Sequence, residues 1–179
     1  MSAKKPLYMI HQHHATHLHY DLRLEIDGAL KSWALKELPL KASQAVLAIQ
    51  VGDHSIKYGG FEGVIPPFHY GAGPVMIWDQ GSFTHFTPDH THAIIPADDA
   101  AKRGYIFFEL HAPKLKGSYL LVRITKKQKW IFIKLPDNNS IKGRKPASWD
   151  KSVKSGKTLE EIFNEHSSIS YQKWLSTFN

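Results

Sequence analysis

Residues 17–26 read His-Leu-His-Tyr-Asp-Leu-Arg-Leu-Glu-Ile, with polar and apolar side chains in strict alternation. A period of two predicts a β-strand with one apolar face, because successive side chains of a strand point to opposite sides. Asp27-Gly28 follows, and both residue types tolerate the positive φ of a tight hairpin turn. We therefore expect a hairpin whose second strand runs over about 29–35.

Short strand patterns continue along the chain. Candidates lie at 45–51, 74–79, 82–86, 104–111, 118–124 and 129–135, and Gln80-Gly81 and Lys116-Gly117 stand between pairs of them as turn signals. About eight strands at this spacing are typical of a barrel or a closed sandwich. The sequence predicts a mainly β fold: a closed or partly closed β-barrel with short flanking helices at its C-terminal end.

The last quarter of the chain changes character. Residues 136–157 are rich in Lys, Asn, Ser, Gly and Pro, which indicates a loop or linker. Residues 158–161, Thr-Leu-Glu-Glu, match a capping box and predict a helix at about 159–166, with a second helix at about 170–178. The expected organisation is a barrel domain over 1–135, a linker over 136–157 and a helical segment over 158–179 that packs on the barrel.

Composition limits the class of protein. The chain of 179 residues fits one domain with an appended tail, and the absence of cysteine excludes disulfides and thiolate metal sites. Neither a signal peptide nor a stretch near the roughly 20 apolar residues of a membrane helix is found, so we expect a cytoplasmic protein with no membrane partner. A net charge of +7 favours contact with polyanions, although a basic protein without a nucleic-acid partner has the same charge.

The polar face of the predicted strand 17–26 carries candidate metal ligands. His19, Asp21 and Arg23 follow at every second position, roughly 7 Å apart, so their side chains emerge on one side. His13 lies six residues before His19 and can return a third ligand. Two imidazoles and a carboxylate suit Mn²⁺ or Zn²⁺ better than Mg²⁺ or Ca²⁺. Arg23 could hold a phosphate oxygen with its planar guanidinium.

A plainer interpretation is that 11–19 is a histidine-rich solvated stretch or the remnant of a purification tag. A tag would not alternate with a hydrophobic strand, which favours the metal site. His11, His14 and His17 lack such a pattern, and we expect them to be exposed.

Two further stretches contain candidate residues. Asp53-His54 follows the apolar strand 45–51 and is followed by Tyr58, and His54 could donate a proton to a leaving oxygen or hold a phosphate oxygen. A histidine after a strand is more often a loop residue, so this signal is weak alone. The glycine-dense residues 61–66 and 70–73 could cradle phosphate, but a structural turn is the favoured interpretation because the lysine of a P-loop is missing.

Several ordered motifs are similar to one known family. They are His13-x5-His19-Tyr20-Asp21-Leu22-Arg23-Leu24-Glu25, then residues 29–34, 51–54 with Tyr58, 61–66, 70–73 with Val75, 78–81, 114–117, 130–134 and 152–161. The set resembles the phosphoesterase module of bacterial ATP-dependent DNA ligase D over about residues 8–162. The first motif is highly specific, and the ordered set is more so.

The resemblance implies a β-barrel with an active site that favours Mn²⁺, with Zn²⁺ or Co²⁺ as alternatives. It implies removal of a 3′-terminal ribonucleoside from a primer strand, and then of the remaining 3′-phosphate, to expose a 3′-hydroxyl in non-homologous end joining. The partners would be 3′ ends of DNA primer-templates and a DNA ligase or polymerase. By position, the metal ligands would be His13, His19 and Asp21, and the residues contacting phosphate would be Arg23, His54 and Tyr58, with His54 a candidate general acid.

The chain departs from the family pattern at supporting positions. Gly52 stands where the family has an acidic residue, Val46 replaces a basic residue, and residues 36–39, which include Glu37, replace Pro-Lys-Gly-Pro. These changes concern substrate preference and the balance between diesterase and monoesterase activity. Two alternatives stay open: a metal-dependent phosphatase for small phosphoesters, and a non-catalytic nucleic-acid-binding barrel. Asp21 would weaken nucleic-acid binding unless a cation offset its charge, which favours an enzyme.

Overall fold

Antiparallel strands close into a ring in the computed structural model, which describes residues 5–88, 96–125, 127–139, 141 and 145–178. The strands are β1 (Leu7–His14), β2 (Leu18–Ile26), β3 (Ala29–Leu35), β4 (Ala45–His54), β5 (Gly63–Ile65), β6 (Gly73–Phe86), β7 (Tyr105–His111), β8 (Lys116–Arg123) and β9 (Lys129–Lys134). The helices are α1 (Ala97–Arg103), α2 (Leu159–His166) and α3 (Tyr171–Leu175), with 3-10 turns at Ile56–Gly60 and Ser176–Phe178. Among the described residues, every helix is too short or too polar to cross a membrane.

The ring runs in the order β1, β2, β3, β4, β9, β8, β7, β6 and back to β1. Closure depends on the pairing of β1 with β6, in which Leu7 lies opposite Ser82 and His13 lies opposite Val75. Short β5 pairs with the opening residues of β6, outside the ring. The predicted mainly β fold, a barrel of eight strands with short helices, is confirmed.

Three predictions about individual strands were wrong, and one of them is the Lys116-Gly117 turn, because both residues are the opening residues of β8 and pair with β7. The chain begins its barrel with β1, one strand earlier than the alternation at 17–26 indicated. Gln80-Gly81 is not a turn, because β6 runs unbroken for 14 residues through it. A side chain at Gly81 would collide with the carbonyl oxygen of His111, so this glycine permits a close approach of the neighbouring backbone.

The apolar face of β2 points into the barrel, as its alternation predicts. Leu22 and Leu24 are fully buried there, while Leu18 at the strand's beginning is exposed. Large aromatic side chains fill the interior around them, namely Trp33, Trp78, Phe83, Phe108, Tyr119, Trp130 and Phe132. The polar side chains of β2 therefore lie on the outside of the ring, where the site is built.

The C-terminal segment packs on the barrel. Helix α2 begins with the predicted capping box, in which Thr158 and Glu161 exchange side-chain and backbone hydrogen bonds, and its apolar face is buried. Before the helix, Trp149 and Ser152 are buried, and the Val153 amide donates to the Ile77 carbonyl on β6. Residues 140 and 142–144 of the expected linker lie outside the described residues.

Candidate active site

His13, His19 and Asp21 meet on the outer face of β1 and β2. The antiparallel register places His13 opposite His19, and Asp21 follows His19 by two positions on the same face. His13 Nδ1 lies 3.8 Å from Asp21 Oδ2, and His19 Nε2 lies 3.6 Å from Asp21 Oδ1. One ligand atom from each residue falls within 4.8 Å of the others, which is close enough to share one metal ion.

Backbone carbonyls fix the tautomers of both imidazoles. His13 Nε2 lies 2.7 Å from the Gly71 carbonyl oxygen, and His19 Nδ1 lies 3.0 Å from the His17 carbonyl oxygen. A carbonyl only accepts, so these nitrogens carry the protons, and the lone pairs of His13 Nδ1 and His19 Nε2 are left on the side of Asp21. Ligating histidines in proteins are oriented by a partner of this kind. The donor set thus fits a divalent transition metal.

Arg23 lies buried directly beside this cluster. Its Nη2 donates to Asp21 Oδ2 at 3.0 Å, its Nη1 donates to Ser32 Oγ at 2.8 Å and to His54 Nδ1 at 3.0 Å, and its Nε donates to His11 Nδ1 at 3.0 Å. The guanidinium is therefore held rigidly from three strands and the end of β4.

The charge states of Asp21 and Arg23 follow from their burial and from their contacts. Burial alone would raise the pKa of Asp21, but the neighbouring His13 and the charge of Arg23 outweigh it, and the pKa is lowered. Burial lowers the pKa of Arg23, with Asp21 opposing the change. A guanidinium ordinarily keeps its proton far above neutral pH, so Arg23 stays charged despite this lowering, and Asp21 stays ionised at neutral pH.

His11 was expected to be exposed, and that prediction is wrong. It is fully buried, and burial, followed by the charge of Arg23, lowers its pKa to about 3. The available signal was its spacing of two from His13, which places both on one face once β1 is known to be a strand. His14 is half-buried with Nδ1 at 2.6 Å from the Tyr171 hydroxyl, while His17 is exposed as expected.

His54 and Tyr58 converge on the same guanidinium. His54 ends β4, and Ser55 then caps the 3-10 turn that carries Tyr58. The Tyr58 ring stacks on His54 with centroids 4.9 Å apart, and the Arg23 Cζ lies 5.1 Å from the Tyr58 ring centroid. Because His54 Nδ1 accepts from Arg23, its ring proton is on Nε2. Burial, and then Arg23, lowers the pKa of His54, so the neutral form dominates at pH 7.

One cleft of about 590 Å³ brings together all six side chains that the sequence singled out. They are His13, His19, Asp21, Arg23, His54 and Tyr58. Their individual roles stay predictions. Gly71 contributes its carbonyl to His13, so the glycine-dense turn serves the site through its backbone.

Two departures from the family pattern have clear locations. Val46 is buried in the barrel core, away from the cleft. Gly52 lines the cleft, and a Cβ built on it would meet no atom within 4 Å. The cleft wall therefore has open space at this position.

Glu62 is a supporting residue that sequence reasoning missed. Its Oε2 accepts from the Ile77 amide at 2.9 Å and from the Ser152 hydroxyl. These bonds connect the turn carrying Tyr58 to β6 and to the C-terminal segment. An acidic residue within the otherwise apolar and glycine-rich stretch 61–66 was the only signal in the sequence.

Comparison with known proteins places these motifs in a family. The family described as "DNA Ligase D 3′-phosphoesterase domain" matches residues 11–123. The "Multifunctional non-homologous end joining protein LigD" of Pseudomonas aeruginosa is 40% identical over 140 residues, which is 74% of this chain and 15% of that protein. Two mycobacterial proteins are similar at 39% identity over 75% of this chain, from Mycobacterium tuberculosis (17% of that protein) and Mycolicibacterium smegmatis (18%). The chain thus spans less than a fifth of the length of these relatives.

Proposed function

This chain belongs to the DNA ligase D 3′-phosphoesterase family, and from that premise we propose that it is a metal-dependent hydrolase of 3′ ends of DNA. Its substrates would be strands ending in a ribonucleoside or a 3′-phosphate, and its product a 3′-hydroxyl. This proposal joins a phosphodiesterase and a phosphomonoesterase activity in one site.

The observation that carries the proposal is the position of Asp21 between two chemically different groups. Its carboxylate faces His13 and His19 on one side and accepts from Arg23 Nη2 on the other. A cation held by the first group and a guanidinium in the second would flank one phosphate. Such paired positive charges are how proteins stabilise a phosphoryl group during transfer.

The proposed ligands of Mn²⁺, or alternatively of Zn²⁺ or Co²⁺, are His13 Nδ1, His19 Nε2 and a carboxylate oxygen of Asp21. When bound, the ion supplies Lewis-acid polarisation of a phosphoryl oxygen. The chain's own residues supply orientation, charge and hydrogen bonds.

Arg23 has a narrower role than its planar group alone indicated. A guanidinium has five N–H groups. Four of them are engaged by His11, Ser32, His54 and Asp21 within the described part of the chain. The remaining Nη2 proton can bond a single non-bridging oxygen, so Arg23 contributes one directed hydrogen bond and a full positive charge.

His54 is proposed to bond the phosphate through Nε2–H. The adjacent Arg23 disfavours a second proton on this ring, which supports hydrogen bonding by the neutral imidazole over general-acid catalysis. Tyr58 stacks on His54 and keeps its ring plane fixed. In the diesterase step, water adds to phosphorus, the bond from phosphorus to O5′ of the terminal nucleoside breaks, and O5′ takes a proton.

The partner would be nucleic acid. The net charge of +7 supports a polyanionic substrate, and the relatives are named as non-homologous end joining proteins. We infer that 3′ ends of primer-templates reach this site before a DNA ligase or polymerase uses them.

A direct assay tests the proposal. Purified protein is mixed with Mn²⁺ and a 5′-labelled duplex whose strand ends in one 3′-ribonucleotide, and the products are sized over time. We expect a strand shortened by one nucleoside with a 3′-phosphate, then its dephosphorylated form, and no product with EDTA. Asp21→Asn, which nearly preserves shape, is the matched inactive control.

The alternatives predict different results. A non-catalytic barrel would bind the duplex equally with and without EDTA and never trim it. A phosphatase for small phosphoesters would hydrolyse them while leaving the duplex intact, and its substrate binding would depend little on salt. Binding through backbone phosphates instead weakens steeply as salt rises.

A further inference from the structure

A groove of about 560 Å³ continues from the cleft along the surface. The cleft and the groove share four lining residues, Ala15, Thr16, Ile65 and Gly71. The loop between β5 and β6 forms one wall of the groove, and residues of α2 and α3 with the 3-10 turn after them form the other. A ligand that extends from the cleft in this direction would therefore enter the groove directly.

The loop wall presents aromatic side chains to solvent. Phe68 and Tyr70 are fully exposed, and Phe68 has a φ of +69°. A bulky residue is uncommon in this left-handed region, because the conformation costs free energy. Backbone strain of this kind is usually found at functional sites. Phe68 lines the groove and Tyr70 lines the cleft, so each of the two adjoining cavities has one of these exposed rings in its lining.

The opposite wall is anchored next to the metal ligands. Trp174 packs against Phe163 at 5.2 Å and Phe178 at 4.9 Å between ring centroids, and all three line the groove. The His14 ring lies 5.3 Å from Trp174, and its Nδ1 bonds the Tyr171 hydroxyl. Because His14 follows His13 on β1, these contacts fix the aromatic wall relative to the candidate metal centre.

The chemistry of the lining selects the occupant. The described lining residues of the groove include no Asp, Glu, Lys or Arg, and their aromatic members are phenylalanines, a tryptophan and two histidines, His69 and His166. Such a surface suits a flat, uncharged ring and not a phosphate chain. Aromatic side chains bind nucleobases by stacking, whatever the base. The volume falls in the range of small-molecule sites and fits one nucleoside rather than a duplex.

We propose that this groove binds the base of the 3′-terminal nucleoside, stacked between Phe68 and the Trp174 wall, while its phosphodiester lies in the cleft. The terminal nucleoside is the one that can be splayed out of a strand end at lowest cost, since it has a neighbour on one side only. The inference rests on the proposed function and adds that the C-terminal helices, which lie beyond the family match at residues 11–123, belong to the substrate site.

Binding is tested without turnover. A duplex with 2-aminopurine as its 3′-terminal base is titrated with protein in EDTA, and stacking is read from quenching of the 2-aminopurine fluorescence. Phe68→Ala should reduce the quenching and weaken binding roughly 5- to 100-fold, in line with the loss of one base stack. The substitution removes an exposed side chain, so the fold is preserved. Leu47→Ala, which truncates a half-exposed apolar residue on β4, should change neither quantity.

A second substrate separates this inference from the proposed function. The same duplex ending in an abasic sugar should bind wild type and Phe68→Ala equally. The base-binding groove would be overturned if wild type bound abasic and base-bearing ends equally, or if quenching were unchanged in Phe68→Ala. Trimming in Mn²⁺ would still support the proposed function in either case. Quenching without trimming in Mn²⁺ would overturn the proposed function and support base binding in the groove. A changed sedimentation coefficient of Phe68→Ala with unchanged quenching would assign Phe68 to a protein–protein contact and overturn the proposal.

Discussion

Arg23 donates a 3.0 Å hydrogen bond from Nε to His11 Nδ1, and both side chains are buried. The low pKa of His11, about 3, keeps its ring neutral, so Nδ1 remains an acceptor at every pH where the enzyme would work. His11 therefore fixes the direction in which the guanidinium faces the cleft without adding a competing charge. We regard it as a positioning residue.

His11→Ala should lower kcat/KM for the 3′-ribonucleotide duplex about 10- to 100-fold. The reason is that a hydrogen bond to a charged group contributes about 1.5–3 kcal/mol, and its loss frees Arg23 to move. His11→Asn places an amide oxygen near the position of Nδ1 and should restore most of the activity. Both variants should bind Mn²⁺ as wild type does. If His11→Asn were as impaired as His11→Ala, the acceptor would not be what matters.

Replacing a proposed ligand should first of all weaken metal binding. His19→Ala or Asp21→Ala should weaken Mn²⁺ binding by about tenfold or more and abolish Mn²⁺-dependent turnover, while circular dichroism stays unchanged because both residues lie outside the barrel core. Mn²⁺ affinity is measured by electron paramagnetic resonance titration. His17→Ala is the control, because His19 contacts only the backbone carbonyl of His17. Wild-type activity in either ligand variant would contradict the site.

His54→Ala should spare Mn²⁺ binding, since its ring faces Arg23 and Ser32 rather than the ligand cluster. Because His54 is proposed to donate a hydrogen bond to the phosphate, its loss should slow hydrolysis of a ribonucleoside diester and of an activated aryl phosphodiester equally. The activation free energy should rise by about 2.7–4 kcal/mol, by analogy with a lost oxyanion donor. A general acid would behave differently, because an aryl leaving group needs no proton. A much larger loss on the ribonucleoside substrate would therefore reassign His54 to proton donation.

Lys114, which does not line the cleft, gives the barrel a pH-dependent contact. Its Nζ donates to the carbonyls of Trp149 and Lys151, and burial lowers its pKa to about 8, with Asp79 and then Asp150 opposing. The unfolded chain holds this proton up to about pH 10.4, so the native state gains stability as pH rises from 8 toward 10.

The measurement is the melting temperature between pH 7 and 10.5 for wild type and Lys114→Met. The melting temperature of wild type should rise relative to that of Lys114→Met as pH rises through this window. Lys116→Met, which removes an exposed lysine two positions away, should follow wild type. Parallel curves for wild type and Lys114→Met would show that this amine does not titrate there.

The strict alternation of residues 17–26 was enough to predict β2, its buried face, and the association of His19, Asp21 and Arg23. It could not predict the burial of His11, because that depends on β1 lying between β2 and a strand far along the chain. Composition at 136–157 indicated a linker, yet Trp149 and Ser152 within it are buried against the barrel. Their burial depends on tertiary contacts with Glu62, Ile77 and Lys114 that local composition does not encode.

The contact between His13 and Gly71 spans 58 residues, whereas His13 reaches His19 through a local hairpin. Contacts of long sequence separation form late in folding, because the loop-closure entropy is lost before the contact stabilises the chain. A nascent chain that has completed only β1 and β2 holds all three candidate ligands but lacks the carbonyl that selects the tautomer of His13. If these three residues hold an ion as proposed, an ion bound before Gly71 is in place would meet ligands whose tautomers and positions are not yet fixed.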